Sequence, residues 1–444
     1  MPEVWNNPEY LKNIAADILK EAKKRGASAA EVDVSAQKGF SVTARMGDVE
    51  SVEYHQDKTV DITVYFGERT GSSSLSDLRL DAINAAVEAA CHIARFTDKD
   101  PCTRLADKDL LAFQYPDLQL CSPWHITVPE AIELALACEK KALAKDPRIQ
   151  NSEGAEVSTT EGCHVYGNSQ GFIGLYAATR HDISCVLIAK QKDEMQRDYS
   201  YTVSSDPALL ESIDWVAADA AKKTVRRLGA KQLTTRRVPV IFAAEEARTL
   251  LGHFVAAISG SNLYRKSSFL LDQLNTRVFP EHIRIEEKPH LLKSLGSAPF
   301  DDNGVATCPN VFVDQGVLQK YALGIYSACK LGMQTTGNAG GVHNLCISAG
   351  SKDLTSLLKT MGTGLLITDL MGHGVNLLTG DYSRGATGFW VEGGNIQYPV
   401  EEITIAGNLR DMYAKILEVG SDIDKRGNIQ TGSILIENMM VAGN

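Results

Sequence analysis

Apolar residues recur at helical spacing through 10–24, where Ile14, Ile18, Leu19 and Ala22 share one face. This predicts an amphipathic opening helix. Alternation with a period of two then takes over. The runs 31–36, 40–46, 49–54 and 60–66 alternate in the manner of strands with one covered face, and Gly39 and Gly47-Asp48 read as turns between them. Helical spacing returns at 80–93 through Ile83, Ala86, Val87 and Ala90, before Pro101, Pro116 and Pro123 interrupt the chain. The same order follows downstream: a helix at 130–143, strand runs at 155–160, 164–168, 173–179 and 184–190, and a helix at 212–228. Even Val34-Ser35 ahead of Gly39 has a counterpart in Val157-Ser158 ahead of Gly162. The pattern predicts a duplicated helix–four-strand–helix unit, occupying 1–113 and 126–232. Each copy offers one apolar sheet face for helices to cover.

Residues 233–444 read differently. Arg237-Val-Pro-Val-Ile-Phe-Ala243 has the look of a buried strand, and a helix is expected over 244–258. Beyond it, Asn303-Gly304, Asp314-Gln-Gly316, Gly340-Gly341 and Gly393-Gly394 divide short β-rich runs at roughly eight- to twelve-residue spacing. The charged amphipathic stretch 354–361 is one of few helices. The runs 389–391 and 396–398 flank Gly393-Gly394-Asn395, which predicts a hairpin with a three-residue turn. The fold class expected is α+β, with a large antiparallel β-rich C-terminal domain, sheet or barrel, after the duplicated units.

Composition narrows the function. The 444 residues, 44% apolar and 23% charged, fit an ordinary globular protein of two or three domains. A net charge of -10 argues against a broad phosphate-binding surface, so no nucleic-acid partner is expected. Lys222-Lys223 with Arg226-Arg227 reads as a solvated helix face. The first residues lack a basic and apolar leader pattern, and no run approaches the ~18 apolar residues of a membrane span. The expectation is a cytoplasmic protein with no membrane partner. The nine cysteines are odd in number and lack Cys-x-x-Cys spacing, so they are expected to be reduced and mostly buried.

Most chemical signals are weak. No Gly-x-Ser-x-Gly elbow is present, and Ser259-Gly260-Ser261 has no obvious base. Gly362-Thr-Gly364 and Gly372-His-Gly374 lack the Lys-Ser/Thr of a phosphate loop. Asp301-Asp302 is either a carboxylate pair for acid–base work or part of a polar Asn-Gly turn. His343 and His373 lie in glycine-rich loops, where they could join His253 as metal ligands or serve as hydrogen-bonding residues. The strands at 386–406 could present an edge to an extended peptide, with Asp381, Tyr382, Arg384 and Glu392 as polar anchors. Those four could equally cap their own hairpin.

Three segments carry a resemblance: 378–408, Tyr326-Ser-Ala-Cys-Lys-Leu-Gly332, and Thr336-Gly-Asn-Ala-Gly-Gly-Val-His-Asn344. Together they resemble the PmbA (TldE) branch of the TldD/PmbA family, whose members are described as modulators of DNA gyrase and as metalloproteases. The likeness runs from about Ala27 to the C-terminus and is most specific after residue 240. TldD-type members carry His-Glu-x-x-x-His on the helix after the same strand, and a downstream cysteine completes their zinc site. Here the segment reads Ala243-Ala-Glu-Glu-Ala-Arg-Thr-Leu-Leu-Gly-His253, and Thr431 stands where the thiolate is expected. Threonine cannot supply that soft, charged donor. The resemblance therefore implies no metal and no catalytic residue in this chain. Zinc and the catalytic glutamate would come from a TldD-like partner in a heterodimer, with a homodimer when the chain is alone. Unfolded peptides would be the substrate, as in antitoxin degradation or peptide-antibiotic maturation, and the isolated subunit would be inactive. Two alternatives stand beside it. One is a non-proteolytic regulatory binding protein of gyrase-linked or antitoxin systems. The other is a hydrolase with a site rebuilt from His253, His343 and His373.

Overall fold

The computed structural model describes residues 8–443, so the reading of the first seven residues lies outside it. The first unit consists of α1 (Pro8–Lys24), β1 (Ala29–Arg45), β2 (Asp48–Phe66), β3 (Arg69–Leu75) and α2 (Leu80–Phe96). The second repeats that order in α3 (Val128–Leu143), β4 (Ile149–Asn168), β5 (Ile173–Gln191), β6 (Glu194–Ser204) and α4 (Ile213–Val225). Each unit thus has three strands, two of them long, where four short ones were expected. Gly39 and Gly162 lie inside β1 and β4 and are not turns. A Cβ at Gly39 would collide with the Thr159 carbonyl and the His55 ring, so glycine here serves a close strand approach. The β1–β2 turn is Met46-Gly47, both with positive φ (52° and 86°).

The two units share one sheet, ordered β3-β2-β1-β4-β5-β6, because β1 pairs antiparallel with β4. The even-numbered positions of β1 point to one face. Val32, Val34 and Ala36 meet α1 and α2, while Val42 and Ala44 meet α3 and α4. The opposite face is polar and aromatic. There Tyr166 donates to Glu31 at 2.7 Å, and His164 pairs with Asp33. Phe300 of the C-terminal region packs on this face, against Phe172, His164 and Tyr176.

The C-terminal region begins with β7 (Arg236–Phe242), α5 (Ala244–Ile258) and the short α6 (Gly260–Tyr264). A second sheet, β10-β9-β8-β11-β16, comprises β8 (Ile285–Glu287), β9 (Asn310–Asp314), β10 (Val317–Leu318), β11 (Leu345–Ile347) and β16 (Ile429–Gln430). The third contains β7, β12 (Gly364–Met371), β13 (Asp381–Glu392), β14 (Asn395–Asn408), β15 (Ile416–Val419) and β17 (Ile434–Ala442). Since β14 pairs with both β13 and β17, the strands β14-β13-β12-β7-β17 close on themselves, with β15 outside on β17. All pairs in this sheet are antiparallel except β7 with β12. The remaining helices are α7 (Ile325–Leu331), α8 (Leu354–Met361) and α9 (Leu409–Ala414). The predicted hairpin is β13–β14, but its turn is the two residues Gly393-Gly394, and Asn395 pairs with Glu392.

The cysteines depart from expectation. Cys102 and Cys329 form a disulfide. Of the others, Cys91, Cys138 and Cys185 are buried, while Cys121 and Cys308 are exposed. Among the described residues no helix is long and apolar enough to cross a membrane.

Candidate functional site

Helix α5 divides into two faces. Ala247, Leu250, Leu251, Phe254, Ala257 and Ile258 are buried in the C-terminal core. Glu246, Thr249, Gly252, His253 and Ala256, three or four residues apart, form a half-exposed stripe. Its two first-turn glutamates have different environments. Burial favours a protonated Glu245, but Lys223 at 2.6 Å and Arg426 hold its carboxyl below the usual range and tie α5 to α4. Glu246 lacks such a cation. Burial pushes it up to about 7, and Asp369 adds to the shift against the opposing charge of Arg384.

His253 and Tyr382 meet edge to face, with ring centroids 6.0 Å apart. His253 is lowered by burial and then by the Arg384 charge, and its Nε2 has no hydrogen-bond partner among the described residues. The Tyr382 hydroxyl is raised by burial and lies beside Arg384 without a well-formed hydrogen bond. Arg384 spends its donors on backbone, on the carbonyls of Gly372 (3.0 Å) and Leu370 (3.3 Å). One imidazole next to a guanidinium is a poor metal donor set, and the residues present do not fit zinc. Among the described residues no group of three or more His, Cys, Asp or Glu is arranged for a metal. Thr431 is buried, its hydroxyl donating to the Gly432 carbonyl at 2.8 Å.

On the other side of the stripe lies a cavity of about 590 Å³. Gly252, Ala256 and Ser259 line one part, the adjoining Ala322, Tyr326 and Ser327 another, and 338–341 the floor. A Cβ at Gly252 would meet nothing within 4 Å, so the helix opens here onto empty space. The floor is organised from below by Glu287, which is 1% exposed. Its carboxylate accepts from Asn338 Nδ2 (2.9 and 3.0 Å), Asn310 Nδ2 (3.0 Å) and the His343 backbone N–H. Burial raises Glu287, and these donors oppose the shift. Asp301 pins the floor from the side, accepting from Asn303, Val305 and Ala339 N–H groups at 2.9–3.0 Å. Burial raises it to about 6. Of its two readings, Asp301 thus has the geometry of the polar turn, with Gly304 at φ 72°.

The predicted site residues are only partly brought together. Tyr382 and Arg384 reach the α5 stripe, but Tyr382 is 1% exposed and faces the core. Asp381 accepts from Thr379 and Asn408 and closes its own strand end. Glu392 accepts from the Trp390 indole at the other end of β13, about 35 Å away along the strand. The edge imagined at 386–406 is largely occupied. β13 is paired on both sides, and β14 is met by β17 at Thr404–Ala406 and by Lys231 at Val400. The three histidines do not converge. His253 is on α5, His343 is half-buried and lowered to about 4 by desolvation, and His373 is exposed in the turn after β12. Glu246, Gly252 and Glu287 were missed, and only the two glutamates opening α5 carried a sequence signal.

Comparison with known proteins places this geometry. Models of the PmbA/TldA metallopeptidase domain 1, central domain and C-terminal domain match residues 30–94, 121–228 and 235–443. The chain is 51% identical to a "Metalloprotease PmbA homolog" of Haemophilus influenzae, covering 98% of this chain and 97% of that one. It is 50% identical to "Metalloprotease PmbA" of Escherichia coli O157:H7, over 93% and 92%. A solved structure from Bacteroides thetaiotaomicron, named for modulation of DNA gyrase, superposes with a TM-score of 0.92 at 27% identity, covering 98% and 99%. More distant likenesses are to a TldD homolog of Buchnera aphidicola subsp. Acyrthosiphon pisum (20% identical; 88% and 87% covered) and, in fold, to TldE of Thermococcus kodakarensis (TM-score 0.84, 19% identical; 97% and 100%). The chain belongs to the PmbA/TldD family.

Proposed function

We propose that this chain, as a member of the PmbA/TldD family, is the zinc-free half of a two-subunit peptidase. A TldD-like partner carries the zinc and the catalytic glutamate, and the complex cleaves unfolded peptides in the cytoplasm. This subunit shapes the substrate cavity. The observation that carries the reading is the α5 stripe: one imidazole beside Arg384, with no hydrogen bond from its Nε2 among the described residues, adjoining a cleft lined by glycines, small side chains and asparagines with Tyr264 and Tyr326. Such a wall suits an extended main chain better than a bulky ligand.

The test is a peptidase assay of this chain, the partner and their mixture, with elemental analysis of each. Cleavage by the mixture, with much less than one zinc per copy of this chain, is expected. Stoichiometric zinc here with chelator-sensitive cleavage by this chain alone would overturn the reading. Association is part of the same proposal. Alone, the chain forms a homodimer through residues after 240, burying well over ~1,000 Å², and it exchanges into a heterodimer when the partner is added. Light scattering that shows a monomer at micromolar concentration, and no complex on mixing, would remove it.

A further inference from the structure

We propose that Cys102 and Cys329 form a thiol–disulfide exchange site whose state sets how firmly one wall of the cleft is held. Cys102 lies in the segment between α2 and α3, and Cys329 lies in α7, 227 residues later, with 5.4 Å between their Cα atoms. The same segment makes a second, independent tie to α7. Asp100 accepts from the Tyr326 hydroxyl at 2.8 Å, the Lys330 ammonium at 2.9 Å and the Cys102 N–H at 3.0 Å. Tyr326 and Ser327 of α7 face the cleft. Tyr326 also packs edge-on against Tyr264 at 5.6 Å, and Ser327 sits where a Cβ on Gly260 would clash. Helix α7 is therefore a wedge between the clamped segment and the cavity.

The chemistry balances with a dithiol reductant. A thiolate of the dithiol attacks Sγ of Cys329, the less buried residue of the pair, since Cys102 is only 7% exposed. The Cys102–Cys329 bond breaks, a mixed disulfide forms, and Cys102 leaves as a thiolate that takes up a proton. The second thiol of the reductant then attacks the mixed disulfide. This releases Cys329 as a thiol and leaves the reductant as a disulfide, two electrons and two protons having passed to the protein. Hydrogen peroxide reverses the change, oxidising the two thiols and leaving as water. In the reduced state the segment keeps its Asp100 contacts and the packing of Ile325 against Ala106 and Leu111, but exposed ion pairs such as that of Asp100 are weak and salt-screened, so the wall is held less firmly. A reducing compartment would keep the wall loose, and oxidative conditions would lock it. This holds whether or not the cleft takes peptides.

The test begins by trapping thiols with maleimide in denatured protein, without reductant, after equilibration with peroxide. Seven adducts are expected, rising to nine after dithiothreitol, with a peptide map joining Cys102 to Cys329. Amide exchange over 322–331 and 338–341 should be about fivefold faster in the reduced protein and in Cys102→Ser, and unchanged in the β4–β5 pair. Should Cys102→Ser not fold, reduced wild-type protein gives the same readout. Nine adducts after oxidation, a crosslink to another cysteine, or identical exchange in both states would each overturn the proposal. Peptidase activity is not needed for any of these readings, so a failed peptidase assay would leave this site standing.

Discussion

The six-stranded sheet and the α5 cleft are built on opposite principles. Inward positions of the sheet are aliphatic, with Val32, Val34, Ile62 and Val64 fully buried under helices, and no specific partner is needed beyond a good fit. The cleft floor is held by buried polar groups in which Glu287, Asn338 and Asn310 satisfy one another. Apolar packing tolerates variation of similar volume, whereas a polar network fails when one member is lost. The first arrangement gives a platform, and the second fixes a cavity wall.

Two substitutions test that contrast directly. Glu287→Ala strands two amide donors and a backbone N–H in a buried site and should cost about 3–5 kcal/mol. Ile62→Ala leaves a cavity and should cost about 2–4 kcal/mol. Urea denaturation measures both. A milder effect for Glu287→Ala than for Ile62→Ala would show that the floor does not depend on the network.

The contrast also governs what could be read from the chain. Helices α5 and α8 stood out because their apolar positions recur at 3.6-residue spacing, and the two-fold unit showed because its strands alternate. β3 was missed because Arg69-Thr-Gly-Ser-Ser-Ser-Leu75 has almost no apolar alternation. It lies against α2, and a Cβ at Gly71 would strike the Ala90 carbonyl. β3 pairs with residues 60–66 of β2, so 48–59 is paired with β1 alone in this sheet and is largely exposed. Glu287 carried no local mark, since it sits beside the solvent-facing Glu286 and its partner Asn338 is 51 residues away. The Cys102–Cys329 pair was equally hidden, because its separation follows no spacing rule.

The next effect separates the cleft from the scaffold around it. Gly252→Leu places a side chain in open space on a helix, so stability should rise by about 0.5–1 kcal/mol. Peptide cleavage by the mixture of both subunits should fall about tenfold, or about 1.4 kcal/mol. Undiminished cleavage by the assembled complex would mean that substrate does not use this cavity.

Glu246 gives a pH test of comparable size. Its folded pKa, about 7, lies above the 4.5 of an ordinary glutamate, so the folded chain binds more protons between those values. This contribution to stability is present at low pH and is lost as pH rises through about 7. Glu246→Gln should therefore gain about 1–2 kcal/mol at pH 8, allowing for partial solvent screening, and nothing at pH 4. Urea midpoints that shift equally at both pH values would show that the carboxyl is not desolvated.

His253→Ala should produce the smallest effect. The ring loses its edge contact with Tyr382, worth about 0.5–1.5 kcal/mol, and its buried Nε2 has no hydrogen bond to lose among the described residues. Removing it also relieves a desolvated imidazole that faces the Arg384 charge. The complex should keep its activity within about threefold, because the ring packs against Tyr382 and the neighbouring Arg384 charge disfavours a metal ion or a protonated imidazole there. Cleavage reduced more than ~100-fold in an assembled complex would instead place His253 in the reaction, and the stripe on α5 would then be a working site in its own right and not the wall of its partner's.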